Sequence, residues 1–180
     1  MRIIYFLALL FSVSYALWLG NIDSHTTSFN YLFNIFGSIN FLLAGVTGIY
    51  YYKKYKEHKV IYFTLALSAI SYFIAQLTWY FYNTYYVTEI PYPSYTDLFF
   101  LIFYISLALG GILTMIKIKF KFHFTSIIEI VAVALVIILI THSYIDTVSI
   151  IRPETILEAI LNYAYPVLDA ILISLTLAAI

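Results

Sequence analysis

Long apolar runs recur along this chain with only short polar breaks between them, and that pattern leaves few folds open. The runs cover residues 3–20, 31–52, 60–82, 95–116, 124–144 and 156–180. About 20 apolar residues in helical form cross a hydrocarbon core about 30 Å thick. Composition leads to the same class: 63% of residues are hydrophobic, 10% are charged and the mean hydropathy is +0.94. A water-soluble globular domain carries about 25% charged residues. The expected fold is therefore all-α, a polytopic transmembrane helix bundle of about six spans forming a single domain. The chain has no cysteine, which excludes disulfides, cysteine metal sites and thiol chemistry.

Charge placement orients the bundle. Arg2, the lysines at 53, 54, 56 and 59, and those at 117, 119 and 121 all fall on one side of a six-span arrangement, and Arg152 alone falls on the other. Lys and Arg collect on the cytoplasmic side. The expectation is thus a multi-pass protein of the plasma membrane with a cytoplasmic N-terminus, and with Asp23, Glu89, Asp97, Asp146, Glu154 and Glu158 on the outer side. Residues 53–59 read first as a topogenic loop, although a patch of this kind also suits anionic lipid.

The first run fits two descriptions. Its single early Arg2 and the small-x-small site Ser14-Tyr15-Ala16 suit a signal peptide, whereas an apolar run reaching Trp18 suits a membrane anchor. The second run carries Ala44 and Gly48 four residues apart, a small-residue face for close helix approach. In the third, Ser68, Tyr72, Gln76 and Asn83 share one face, a polar stripe expected to turn toward other helices or line a cleft. Trp79, Tyr80, Tyr82, Tyr85 and Tyr86 follow it as an aromatic belt.

Pro91-Tyr92-Pro93-Ser94-Tyr95-Thr96-Asp97 reads as an ordered re-entry into the membrane. The prolines keep the chain extended. Ser94 and Asp97 have the spacing of a capping box, with the hydroxyl capping a free N–H and the carboxylate favouring the positive end of the helix dipole. In the fourth run Ser106, Gly110 and Thr114 form another small face. Glu129 enters the fifth run about one and a half turns from its cytoplasmic end, where a carboxylate needs a partner such as Lys119 or Lys121 or else serves function. Arg152-Pro153-Glu154-Thr155 looks like a helix start.

In the sixth run, Asn162, Asp169 and Thr176 share a face, and Pro166 leaves two forms open. Either one helix runs unbroken past a proline kink and Asp169 sits deep, or a new helix starts at Pro166 and Asp169 is a first-turn acid. The second form would repeat the device of Pro93 and Asp97. Residues 166–180 supply only about fifteen apolar positions where a span needs about twenty, which points to a bundle truncated from a larger one.

Ala44-Gly45-x-x-Gly48, Gln76-x-x-Trp79-Tyr80-x-Tyr82, Pro91-Tyr92-Pro93-Ser94-x-x-Asp97-x-Phe99-Phe100 and Tyr165-Pro166-x-Leu168-Asp169 follow one another over residues 31–180. This succession resembles the N-terminal multi-span membrane region of archaeal and bacterial signalling proteins, which precedes PAS, histidine kinase or diguanylate cyclase domains. The same region also occurs in stand-alone membrane proteins of methanogenic archaea. The resemblance implies a sensory or input module without a catalytic domain of its own. It implies a cytoplasmic signalling domain or kinase in cis or trans as partner, membrane lipid around it, and a homodimer as one assembly. Members often carry an acid at the position of Gln76, so no charge-dependent role transfers there.

Gln76, Trp79, Asp97, Glu129 and Asp169 are the candidate functional or structural polar sites. No phosphate-binding loop, zinc-protease helix or nucleophile set is present, and His25 and His142 are placed opposite His58 and His123. The chain is accordingly not read as an enzyme, and no cofactor, metal or nucleic-acid partner is expected. A small transporter remains an alternative, on account of Glu129, Asp169 and a proline within a helix, and a membrane assembly or scaffold protein is a third reading.

Overall fold

Four long helices carry the described part of the chain: α1 (Thr27–Lys54), α2 (Lys59–Tyr85), α3 (Tyr95–Lys117) and α4 (Ile156–Ala178). All four are long and apolar enough to cross a membrane. The computed structural model describes residues 6–7, 9–10, 12–13, 27–85, 92–119, 128, 131–132, 135–137, 139–140 and 156–178, and among these there is no strand. Within the first and fifth apolar runs, every described residue is helical. Glu129, Pro91 and the Arg152–Thr155 helix start lie outside the described residues.

α1 and α2 run past the edges expected from hydropathy. Lys53 and Lys54 form the last turn of α1, and Lys59 opens α2. A lysine stem packs along apolar surface while its ammonium reaches water, so a helix need not stop where the charges begin. The reversal between the two takes only Tyr55, in extended conformation at φ −112° and ψ 97°, and one 3-10 turn, Lys56–His58. Backbone hydrogen bonds from Tyr55 N–H to the Tyr51 carbonyl (2.8 Å) and from His58 N–H to the Tyr55 carbonyl (3.3 Å) close it.

The chain forms two compact units, Met1–Ser106 and Leu107–Ile180. In the first, α1 and α2 pack as an antiparallel hairpin along a seam of small residues. On α2 the buried face is Thr64, Ser68, Ser71 and Ala75, at spacings of four, three and four, joined by Ala66 and Ala69. On α1 the seam passes through Ser38, Gly45 and Gly48. A Cβ built on Gly48 would stand 2.8 Å from the Ala66 Cβ, and one built on Gly45 would stand 2.5 Å from Ile70 Cγ1. Ala44, expected to share the face of Gly48, is exposed; Gly45 is its counterpart in the seam. Helices in lipid gain little from excluding water and associate through close packing of this kind.

Five hydroxyls in these helices donate to carbonyls of their own helix. Ser38 donates to Ile35 (2.7 Å), Thr47 to Leu43 (2.8 Å), Thr64 to Ile61 (2.9 Å), Thr78 to Ile74 (2.9 Å) and Thr114 to Gly110 (2.7 Å). Asn83 donates its side-chain amide to the Trp79 carbonyl at 2.8 Å. The back-bond lets a polar side chain sit in an apolar helix without an unpaired donor.

In the second unit α3 meets α4, where the position of a Cβ on Gly111 lies 3.8 Å from Leu175 Cδ1. Met115, Leu161 and Ala170 are buried. α4 continues through Pro166, so the form in which a new helix starts at that proline does not occur. α3 ends with Lys119 in the left-handed region at φ 54°, its N–H bonded to the Ile116 carbonyl at 3.1 Å. Residues at that cap position reverse the chain and free the helix to end.

Candidate functional site

Polar groups that the bundle buries but does not satisfy are the natural place to look for a site. An unpaired buried donor or acceptor is destabilising by about 1–3 kcal/mol, and lipid offers it no water. Among the described residues two side-chain atoms are buried without a hydrogen-bond partner, Asn40 Oδ1 and Thr96 Oγ1. Both belong to the first unit.

Thr96 occupies the first turn of α3, immediately inside the cap. The carboxylate Oδ2 of Asp97 accepts the Ser94 backbone N–H at 2.7 Å and the Ser94 hydroxyl at 3.0 Å, while the Asp97 N–H goes to the Ser94 carbonyl at 3.1 Å. One half of the expected capping box is therefore present, the acid reaching back to the N-cap amide. The Ser94 hydroxyl also donates to the carboxylate, which ties the N-cap side chain to the first turn. The Tyr92–Pro93 peptide ahead of it is cis.

This position explains the state of Thr96. The back-bond that serves Thr47, Thr64, Thr78 and Thr114 requires a helical carbonyl three or four residues earlier. For Thr96 those residues are Tyr92 and Pro93, which precede the helix. Its side chain is nevertheless 3% exposed, so the hydroxyl has neither its own helix nor solvent.

Asn40 stands on α1 and donates its Nδ2 to Ser12 Oγ of the first run at 3.0 Å. That bond ties the first run to α1 and leaves Oδ1 over. Turning the amide end for end would exchange one unpartnered atom for the other, since Ser12 supplies only one contact.

An aromatic knot joins three helices in this unit. Tyr72 of α2 stacks on Phe41 of α1 with ring centroids 4.1 Å apart, and meets Phe103 of α3 edge-on at 5.0 Å and Phe100 at 5.8 Å. Phe41 and Phe103 contact each other at 6.2 Å. Such pairs add about 0.5–1.5 kcal/mol beyond their buried area and hold a fixed geometry. The knot sets the register of α2 against α3. One turn further along α2, Gln76 stands level with the first turn of α3, and Trp79 follows on the next turn.

Register thus brings three of the expected positions, Gln76, Trp79 and Asp97, to the same end of the first unit, together with Thr96. Gln76, Trp79 and Asp97 are all half-buried. Asp169 belongs to the second unit and is exposed on α4, one turn beyond Pro166. Glu129 is outside the described residues. The polar stripe on α2 is only partly the buried face: Ser68 is 3% exposed, while Tyr72, Gln76 and Asn83 are half-buried.

Sequence reasoning passed over Thr96 and Asn40. For Thr96 a signal existed, a threonine two residues after an N-cap serine in an apolar helix, where no back-bond is available. Asn40 carried none, because its burial depends on tertiary contact. Among the described residues no group of three or more His, Cys, Asp or Glu is placed to hold a metal. No family model, curated protein or solved structure shows significant similarity to the chain.

Proposed function

We propose that this membrane protein is the sensory or input module of a signal-transduction system, with a cytoplasmic signalling domain or kinase, in cis or in trans, as its output. The carrying observation is the Thr96 hydroxyl, buried and unpartnered beside the Asp97 cap at the end of the unit where Gln76 and Trp79 also stand. A group that is unsatisfied in one state favours any state in which it is satisfied. A small polar ligand that hydrogen-bonds Thr96 would shift the packing of α3 against α2 by as much as its differential affinity.

In this reading the helices form about six spans of the plasma membrane with a cytoplasmic N-terminus, and the Thr96 end opens to the outside. The cytoplasmic lysines and outer acids support that orientation. Cysteines placed at Ser24 and Thr88 are then expected to react with an impermeant maleimide in intact cells and one at Glu57 is not; labelling at Glu57 reverses the orientation.

The functional test is a fusion of the chain to a histidine kinase core, with autophosphorylation measured in membranes. Thr96→Val removes the unpaired hydroxyl at nearly constant shape, so it is expected to raise thermal stability by about 1 kcal/mol and to shift kinase output severalfold at equal membrane abundance. Output unchanged by Thr96→Val, Gln76→Leu and Trp79→Phe alike would reject the sensory reading.

A further inference from the structure

We infer that the reversal between α1 and α2 is a binding site for the phosphate headgroup of an anionic membrane phospholipid. It concentrates four exposed lysines, Lys53, Lys54, Lys56 and Lys59, within seven residues. Glu57 is the only acid anywhere between residues 24 and 88, so the patch carries a formal charge of +3 from four lysines and one glutamate. The turn joins two helices long and apolar enough to span a membrane, and spanning by both would place it at the level of the lipid headgroups.

Orientation alone would require only the charges. The structure adds a scaffold of tyrosines that positions them. Lys54 Nζ stands 5.8 Å from the Tyr50 ring centroid and 5.3 Å from that of Tyr55, and Lys59 Nζ stands 5.2 Å from the Tyr52 ring. A ring face attracts an ammonium and limits its hydration on one side while leaving its remaining N–H groups free to donate. Those rings are themselves held: Tyr50 meets Tyr51 edge-on at 5.5 Å, Tyr55 stacks on Tyr51 at 5.5 Å, and Tyr52 lies 6.0 Å from Phe63. Two ammoniums are thereby held against ring faces at the turn, with the exposed Lys53 and Lys56 beside them in sequence, a concentration of donors that suits a phosphodiester.

Of the two helix ends at the turn, only the amino end of α2 adds a field that suits an anion, while the lysines offset the negative carbonyl end of α1. Lys53 and Lys54 lie at the carbonyl end of α1, where positive charge is favourable. The start of α2 has no acid in its first turn, so its exposed N–H groups and Lys59 repeat the same sign. An approaching phosphate would relieve that repulsion.

The test uses the full chain in phosphatidylcholine bilayers containing spin-labelled phosphatidylglycerol or spin-labelled phosphatidylcholine, with the protein-bound fraction of each measured by electron paramagnetic resonance. The expected result is a preference for phosphatidylglycerol that falls about fivefold for each lysine removed among 54 and 59, and that weakens at 1 M salt. Lys117→Gln with Lys119→Gln carries the same change of charge at the other basic turn and is expected to leave the preference within about twofold. Equal loss from both pairs of substitutions would mean general leaflet electrostatics and would overturn the site. A preference insensitive to salt in the unmodified chain would overturn it without any variant. Displacement of the spin-labelled lipid by millimolar glycerol phosphate would show a site for soluble phosphate instead and would likewise overturn the assignment to lipid.

Discussion

Gly48→Ala tests the packing argument most directly, because the added methyl group meets backbone. The new Cβ would lie 2.8 Å from the Ala66 Cβ, 3.1 Å from its Cα and 3.2 Å from its N. Carbon atoms pack at about 3.5–4.0 Å, so α1 and α2 must separate by roughly 0.7 Å or more at this level. No rotamer relieves the overlap, since neither residue has one to change. Overpacking of this size destabilises by about 1–3 kcal/mol, while replacing a mid-helix glycine by alanine gains up to about 1 kcal/mol in propensity. Gly111→Ala separates the two terms. It carries the same propensity gain, but its Cβ would sit 3.8 Å from Leu175 Cδ1, an ordinary contact. The two variants should therefore differ by the steric term alone, about 1–3 kcal/mol, with Gly48→Ala the less stable. Equilibrium unfolding in mixed micelles, titrated with dodecyl sulfate and followed by tryptophan emission, measures the difference. Combining Gly48→Ala with Ala66→Gly removes the closest overlap and should recover at least about 0.5 kcal/mol as a coupling term. Equal stability of Gly48→Ala and Gly111→Ala, or a coupling of zero, would refute the close-approach seam.

The remaining predictions concern the cap and the knot. Asp97→Ala leaves both the Ser94 N–H and its hydroxyl without their acceptor and should lose about 1–2 kcal/mol, more than Ser94→Gly, which retains the amide bond. Hydrogen exchange at the Ser94 amide should quicken only in the aspartate variant, and an amide unprotected before any substitution would contradict the bond. Tyr72→Leu removes one stacked and two edge-on ring contacts and should lower stability by about 1–3 kcal/mol, whereas Tyr72→Phe keeps the rings and should stay within about 0.5 kcal/mol. Equal losses from Phe and Leu in thermal unfolding would assign the effect to the hydroxyl and reject the stacking account.

The helices were legible because hydropathy and capping are local properties. The start of α3 at Tyr95 follows from Ser94 and Asp97. The ends of α1 and α2 ran further than expected because lysine and tyrosine are amphipathic, and a polar tip does not oblige the backbone to stop. The packing faces were harder to read. Ala44 and Gly45 are both small, and only the partner helix decides that Gly45 is the one in contact. The same holds on α2, where smallness at Ser71 and Ala75 marked the buried face and polarity at Gln76 did not. Thr96 and Asn40 stand out through what fails to reach them, a property of the assembled bundle that no pattern along the chain encodes.

The tyrosines of the hairpin have a mechanical consequence. Along α2, Tyr62 near the lysine turn and Tyr80 near the opposite end are eighteen residues apart, a helical rise of about 27 Å. Tyrosine rings favour the level of the headgroups, so this spacing gives the hairpin a preferred bilayer thickness, slightly below the common value of about 30 Å. In a thicker bilayer the belts would be pulled inward and the seam at Gly48 loaded along its length; in a thinner one the hairpin would tilt. Hydrophobic mismatch therefore acts on the same α1–α2 contact that holds the first unit together, making the lipid composition of the host membrane a determinant of its conformation.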